Sequence, residues 1–105
     1  MDENSCSDAD TFAYAIKALK LGVVVGHRTW GGVTTMHSVQ LVDGSEISLP
    51  STRWVPAVAP AAGEPQLENR GVQPDIEVDY PPHAYLDRND PQLARAIQEA
   101  LQMIA

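Results

Sequence analysis

Apolar and polar positions follow two different periods along this chain, and the changes of period divide it into segments. Over residues 8–20, Phe12, Ile16 and Leu19 recur at i, i+4 and i+7, which places them on one face of a helix. Ala13, Ala15 and Ala18 raise helix propensity, and Lys17 and Lys20 sit toward the end where the helix dipole favours cations. Ser7 or Asp8 supplies an oxygen that can cap the first amides, and Gly22 is the expected stop. Leu21 to Val25 has no alternation. Its three consecutive valines predict a strand with apolar contact on both faces, as in a parallel or mixed sheet covered by helices. A helix leading at once into such a strand is the signature of an α/β fold class. Gly26-His27-Arg28-Thr29-Trp30-Gly31-Gly32 then reads as a glycine-punctuated loop.

The second half changes period again. Val33–Val42 and Ser45–Leu49 are β-rich runs separated by Asp43-Gly44, a dipeptide suited to a tight hairpin because both positions tolerate positive φ. Ile47 and Leu49 alternate with Glu46 and Ser48, which predicts one buried and one wet face. Residues 50–65, with Pro50, Pro56, Pro60 and Pro65, predict a surface loop holding at most a short strand at Arg53–Val55. Gln66–Glu68 is expected to be extended, Asn69–Asp75 to be turn, and Ile76–Val78 to be a short strand closed off by Pro81-Pro82. Asp90 is an N-cap, Pro91 fits the first helical position, and Leu93, Ile97, Leu101 and Ile104 form one stripe of a final helix. No internal repeat is present.

Composition narrows the picture. The 105 residues are enough for one small core, and 44% apolar residues argue against disorder of the whole chain. A net charge of −7, from 14 acidic against 7 basic residues, weighs against nucleic acid and anionic membrane surfaces as partners. The single cysteine excludes an intramolecular disulfide. The longest strongly apolar run, Leu21–Val25, falls far short of the roughly 20 residues that span a bilayer. Met-Asp-Glu-Asn-Ser is unlike a signal peptide, so a cytoplasmic location is expected.

The chemistry concentrates near the N-terminus, in Ser5-Cys6-Ser7-Asp8-Ala9-Asp10. Ser7 stands where a helix begins, beside unpaired amides and the positive end of the helix dipole, so an oxyanion formed next to it would be stabilised. A serine at such a junction is a common place for a nucleophile, and it is equally a common N-cap. Cys6 reads as a small packed side chain. Asp2, Glu3, Asp8 and Asp10 lack the loop glycine and distal glutamate of a calcium-binding loop, so no metal is expected. Trp30 and Trp54 read as core or interface anchors.

Three ordered blocks now bear on function. They are Asn4-Ser5-Cys6-Ser7-Asp8-Ala9-Asp10-Thr11-Phe12 with Val24-Val25-Gly26-His27-Arg28-Thr29-Trp30-Gly31-Gly32-Val33, then Glu68-Asn69-Arg70-Gly71-Val72-Gln73-Pro74-Asp75-Ile76-Glu77-Val78, then Asn89-Asp90-Pro91-Gln92-Leu93-Ala94-Arg95-Ala96-Ile97. Together they resemble the tail-specific (C-terminal processing) serine peptidases, and are most similar to the tricorn protease branch. The resemblance implies that Ser7 matches the nucleophile, that the Asp8 backbone N–H is one oxyanion donor, and that Glu68 matches the acidic residue that orients the base. Gly32 stands where the C-terminal processing branch has its lysine, and no lysine follows Lys20, which excludes a Ser–Lys dyad within this chain. The tricorn branch uses a histidine. That general base, its partner serine and a second oxyanion glycine are all expected upstream of Met1. None of His27, His37 and His83 matches the base by motif.

By this resemblance, residues 1–105 form part of a tail-specific protease domain. They would be the C-terminal half of a spiral ββα domain of the crotonase and ClpP-like kind, with a nucleophile-bearing helix, a central buried strand, a β-hairpin and a C-terminal helix. The implied activity is peptide-bond hydrolysis through an acyl-enzyme on Ser7, with peptide substrates and no cofactor or metal. The implied partner is a complementing N-terminal half or a second copy. Two other readings stand beside it: a non-catalytic binding or assembly module on the same fold, and an unrelated small acidic α/β domain. Because the Val23-Val24-Val25 strand needs neighbours and open edges invite pairing, the isolated chain is expected to self-associate. Light scattering at high concentration checks this, and a clean monomer would count against it.

Overall fold

Among the described residues, seven elements follow in the order helix, strand, strand, strand, strand, helix, helix. They come from a computed structural model that describes residues 1–57 and 67–104. Helix α1 (Asp8–Ala18) stops earlier than the sequence predicts. Lys20 adopts φ 54°, its N–H donates to the Lys17 carbonyl at 3.1 Å, and the Leu21 N–H donates to the Ile16 carbonyl at 2.9 Å. This is a Schellman termination, with lysine in the left-handed position expected of glycine. The buried side of α1 also differs from the predicted stripe. Asp10 and Ala13 point inward, whereas Phe12 is 69% exposed and Leu19 is exposed too. The helix turns inward the face whose polar group finds partners in the interior.

Strand β1 (Val25–Gly26) pairs in parallel with β4 (Ile76–Glu77), Val25 opposite Ile76. The parallel pairing is as expected, but the fully buried run over 21–25 is not. Val24 and Val25 are buried, while Leu21 and Val23 are exposed; among the described residues β1 has a strand neighbour on one side only. On its other side Met1 bonds to β1: its ammonium donates to the Val25 carbonyl at 2.9 Å, and the His27 N–H donates to the Met1 carbonyl at 3.0 Å.

β2 (Thr35–Gln40) and β3 (Glu46–Thr52) form the predicted antiparallel hairpin. Of the Asp43-Gly44 pair only Gly44 takes positive φ, at 86°. Asp43 instead accepts bonds at Oδ1 from the Ser45 N–H (3.0 Å) and hydroxyl (2.6 Å). β3 runs through Pro50, where a loop was expected, because an edge strand leaves proline's missing donor unneeded. Arg53–Val55 forms no strand. The predicted buried face is absent: Ile47 is 45% exposed and Leu49 is exposed, since the two strands pack chiefly on each other. Glu68 lies in a turn and not in an extended segment, and Gln66, Pro60 and Pro65 lie outside the described residues.

Pro81-Pro82 does not simply end a segment. It starts a short helix, α2 (Pro82–Leu86), with Pro82 at the first position, where a missing N–H has no cost. α3 (Pro91–Ile104) begins as predicted, with Asp90 Oδ1 accepting the Leu93 N–H at 2.8 Å. It lies against β1, yet its stripe of Leu93, Ile97, Leu101 and Ile104 is exposed. The core is correspondingly small: Ala13, Val33, Leu67 and Val72, with Met1, Tyr14 and Trp54 packed against it. Tyr14 and Trp54 meet edge to face at 5.5 Å, while Trp30 lies exposed over Gly32. The radius of gyration is 17.1 Å, against about 13 Å for a compact domain of this size.

Two glycines, Gly31 and Gly71, let the two loops around this core approach closely. Gly71 has φ 67°, and a Cβ added there would stand 2.0 Å from the Thr29 carbonyl oxygen. Gly71→Ala should therefore destabilise the chain by about 2 kcal/mol or more, read as a lowered midpoint in urea unfolding. Wild-type stability would show that the two loops can separate freely.

Candidate active site

Ser7 immediately precedes α1 with φ 58° and ψ −115°, a conformation that costs a non-glycine residue about 1–3 kcal/mol. Its side chain is exposed and makes no cap bond, so the simple N-cap reading of this serine is not what the structure shows. Asp8 is the first helical residue, and its N–H is among those a helix leaves without an internal partner. The approach to Ser7 is fixed from behind. The Trp30 N–H donates to the Ser5 carbonyl at 2.9 Å, and Asp2 Oδ1 accepts the Ser5 hydroxyl at 3.1 Å. Cys6 is half-buried and unpaired by any disulfide.

Glu68 sits in the turn that follows the undescribed segment. Its Oε2 accepts the N–H groups of Val33 (3.0 Å) and Thr34 (2.8 Å). The Thr34 hydroxyl first, then the Thr34 and Val33 amides, hold its carboxyl below the usual glutamate range, against an opposing effect of desolvation. Directly before these amides in the chain, the Gly31 and Gly32 N–H groups donate to Asp10 Oδ1 and Oδ2 at 2.8 and 3.1 Å. Asp10 is fully buried. The Gly31 carbonyl accepts the Asn69 N–H at 2.7 Å, returning the loop to the Glu68 turn. Thr29, also fully buried, accepts the Val72 N–H at 2.8 Å, and Arg28 Nη1 donates to the Arg70 carbonyl at 2.6 Å.

The structure thus ties the Ser7 helix and Glu68 to one loop, residues 29–34. It places the histidines elsewhere. His27 is 3.3 Å from Asp79 and 3.7 Å from Glu77 at the end of the parallel pair, His37 is on β2 and His83 is in α2. Among the described residues, no cluster of His, Cys, Asp and Glu could hold a metal ion, and no helix is long and apolar enough to cross a membrane. Two residues of this network escape sequence reasoning. Asp10 stands on the polar side of a helix whose apolar stripe suggested the opposite orientation, and the only hint was the Gly-Gly pair that later meets it. Thr29 had no signal at all.

The sequence model of peptidase family S41 matches residues 1–78. A tricorn protease of Thermoplasma volcanium is 41% identical over 102 residues, which cover 95% of this chain and 9% of that protein. A putative tricorn-like protease C-terminal subunit of Sulfurisphaera tokodaii is 43% identical over 99 residues, 93% of this chain and 11% of that protein. Among solved structures, the tricorn protease superposes with a TM-score of 0.78 at 38% identity, over 96% of this chain and 10% of its own. The photosystem II D1 C-terminal processing protease gives 0.54 at 29% identity, over 74% and 19%. The chain spans about a tenth of the length of the curated relatives it matches.

The bonds to Glu68 carry a pH signature. Its folded-state pKa is depressed, so its contribution to stability is complete above the ordinary glutamate pKa and is lost as pH falls through the lower folded value. Unfolding titrations at stepped acid pH should show wild type losing stability across that window, with Glu68→Gln giving a shallower decline. Equal slopes would mean that Glu68 is not held by these amides in solution.

Proposed function

This chain belongs to peptidase family S41, and from that premise we propose that it contributes the nucleophile segment of a serine-type peptidase that hydrolyses peptide bonds through an acyl-enzyme on Ser7. The observation that carries the reading is Ser7 itself: exposed, uncommitted as a cap and held at positive φ at the start of α1. In this reading Ser7 Oγ attacks the scissile carbonyl while a histidine takes its proton. The Asp8 N–H donates to the oxyanion of the tetrahedral intermediate. The histidine hands the Ser7 proton to the leaving nitrogen as the intermediate collapses, so a neutral amine departs and the acyl group stays on Ser7; water, deprotonated by the same histidine, then displaces Ser7 Oγ and releases the acid. Glu68 orients the histidine through a hydrogen bond and does not attack.

We assign that histidine to chain outside these 105 residues. Two facts support this: the three histidines present lie on other elements, and the chain matches only about a tenth of each relative's length. Residues 1–105 would then be the C-terminal part of a spiral ββα domain, acting on peptides, without cofactor or metal, and completed by the base-bearing part or assembled with further copies. One observation favours a second reading, a non-catalytic assembly module on the same fold: the apolar residues of β2, β3 and α3 are exposed.

A fluorophosphonate probe separates the two readings. With the chain produced together with its upstream coding region, Ser7 should be labelled and Ser7→Ala should abolish labelling. Glu68→Gln should slow it by about 10²-fold or more, the scale of losing general-base assistance. Absence of Ser7 labelling, both alone and with the upstream region, would overturn the catalytic reading.

A further inference from the structure

We propose that Asp10 is a positioning residue that couples the nucleophile helix to Glu68, by fixing the backbone stretch whose next two amides Glu68 grips. The inference rests on the peptidase reading for its function but not for its geometry. Four consecutive N–H groups, Gly31 to Thr34, all donate to carboxylates: the first two to Asp10, the last two to Glu68. Asp10 stands three residues after Ser7, on the first turn of the same helix. A displacement of this turn is therefore passed through two short bonds into the segment that seats Glu68.

Burial makes the coupling stiff. Asp10 is fully buried, so water cannot replace a lost amide, and an unpaired buried carboxylate is costly. The loop has little freedom on its opposite side either, because the Gly31 carbonyl accepts the Asn69 N–H one residue from Glu68. Asp10 and Glu68 thus share one rigid strip of backbone without touching each other's amides. The arrangement sets the distance between a nucleophile at a helix start and an acidic group on a turn, which neither element could fix alone.

The test uses Asp10→Asn, which keeps the side-chain shape and loses one acceptor oxygen and the charge, with Asp10→Glu as a second variant. The first readout is the titration midpoint of the Glu68 carboxyl, followed by carbon NMR in the full chain. Removing a nearby negative charge alone would lower that midpoint. Loosening the Val33 and Thr34 amides would raise it toward the ordinary glutamate value. We expect a rise in Asp10→Asn, faster amide exchange at Val33 and Thr34, and a smaller rise in Asp10→Glu. The second readout is Ser7 labelling by fluorophosphonate in the chain carrying its upstream region, expected to slow about 10²-fold in Asp10→Asn, the scale of a misplacement near 1 Å. An unchanged or lowered Glu68 midpoint with unchanged Val33 and Thr34 exchange would overturn the coupling. If wild-type Ser7 is never labelled while the Glu68 midpoint still rises in Asp10→Asn, the peptidase reading fails and the coupling stands.

Discussion

A buried carboxylate that accepts two adjacent backbone amides is the constraint on which the rest of this structure depends. Asp10 cannot be solvated, so the Gly31 and Gly32 N–H groups must come to it. That requirement decides which way α1 faces. It turns Asp10 and Ala13 toward Val33, Leu67 and Val72, and it leaves Phe12 outside. An apolar stripe would ordinarily determine a helix's orientation, because each buried aromatic contributes about 1.5–3 kcal/mol. Among the described residues Phe12 and Leu19 of that stripe stay exposed, and leaving a buried charge unpaired would cost more than exposing a phenyl ring.

Around that contact the chain organises irregular backbone more tightly than regular backbone. The regular strands are short or exposed, and the close contacts lie in loops: Thr29 against Gly71, Gly31 against Asn69, Arg28 across to Arg70. Loops normally run over surfaces because buried polar backbone must be paired. Here the pairing comes from side chains of opposite polarity, two carboxylates for N–H groups and one guanidinium for carbonyls. Such a knot holds the start of α1 and the Glu68 turn against one loop without needing a large core.

Much of this was legible in the sequence, and the failures share a cause. The positions of the α1 and α3 starts, the Asp90 cap, the hairpin and the short β4 strand follow from local rules, although Ser7 makes no cap bond and Lys20 takes the left-handed position expected of glycine. The three blocks that resemble a peptidase family were legible because they are residues, not geometry. Burial was not legible. Period and hydropathy identify which face of an element is apolar, but whether that face is covered depends on what stands opposite it. The faces of β3 and α3 have the right pattern and remain exposed. Asp10 and Thr29 were missed for the converse reason: a polar residue announces its burial only through partners distant in sequence, 21 residues away for Asp10 to Gly31 and 43 for Thr29 to Val72.

The hairpin carries a consequence of its own. In most sheets a slip of one residue exchanges core and solvent faces, and burial forbids it. In β2 and β3 every residue is exposed on both faces, so a slip would exchange nothing with a core. The pairing of Val39 with Ile47 and of His37 with Leu49 is therefore remembered at the two ends of the hairpin and not along its length. At one end Gly44 and the Asp43 carboxylate fix where the chain reverses; at the other, the irregularity between Thr35 and Met36 absorbs the extra residue. The alignment of thirteen strand residues, six in β2 and seven in β3, is stored in a turn and a bulge.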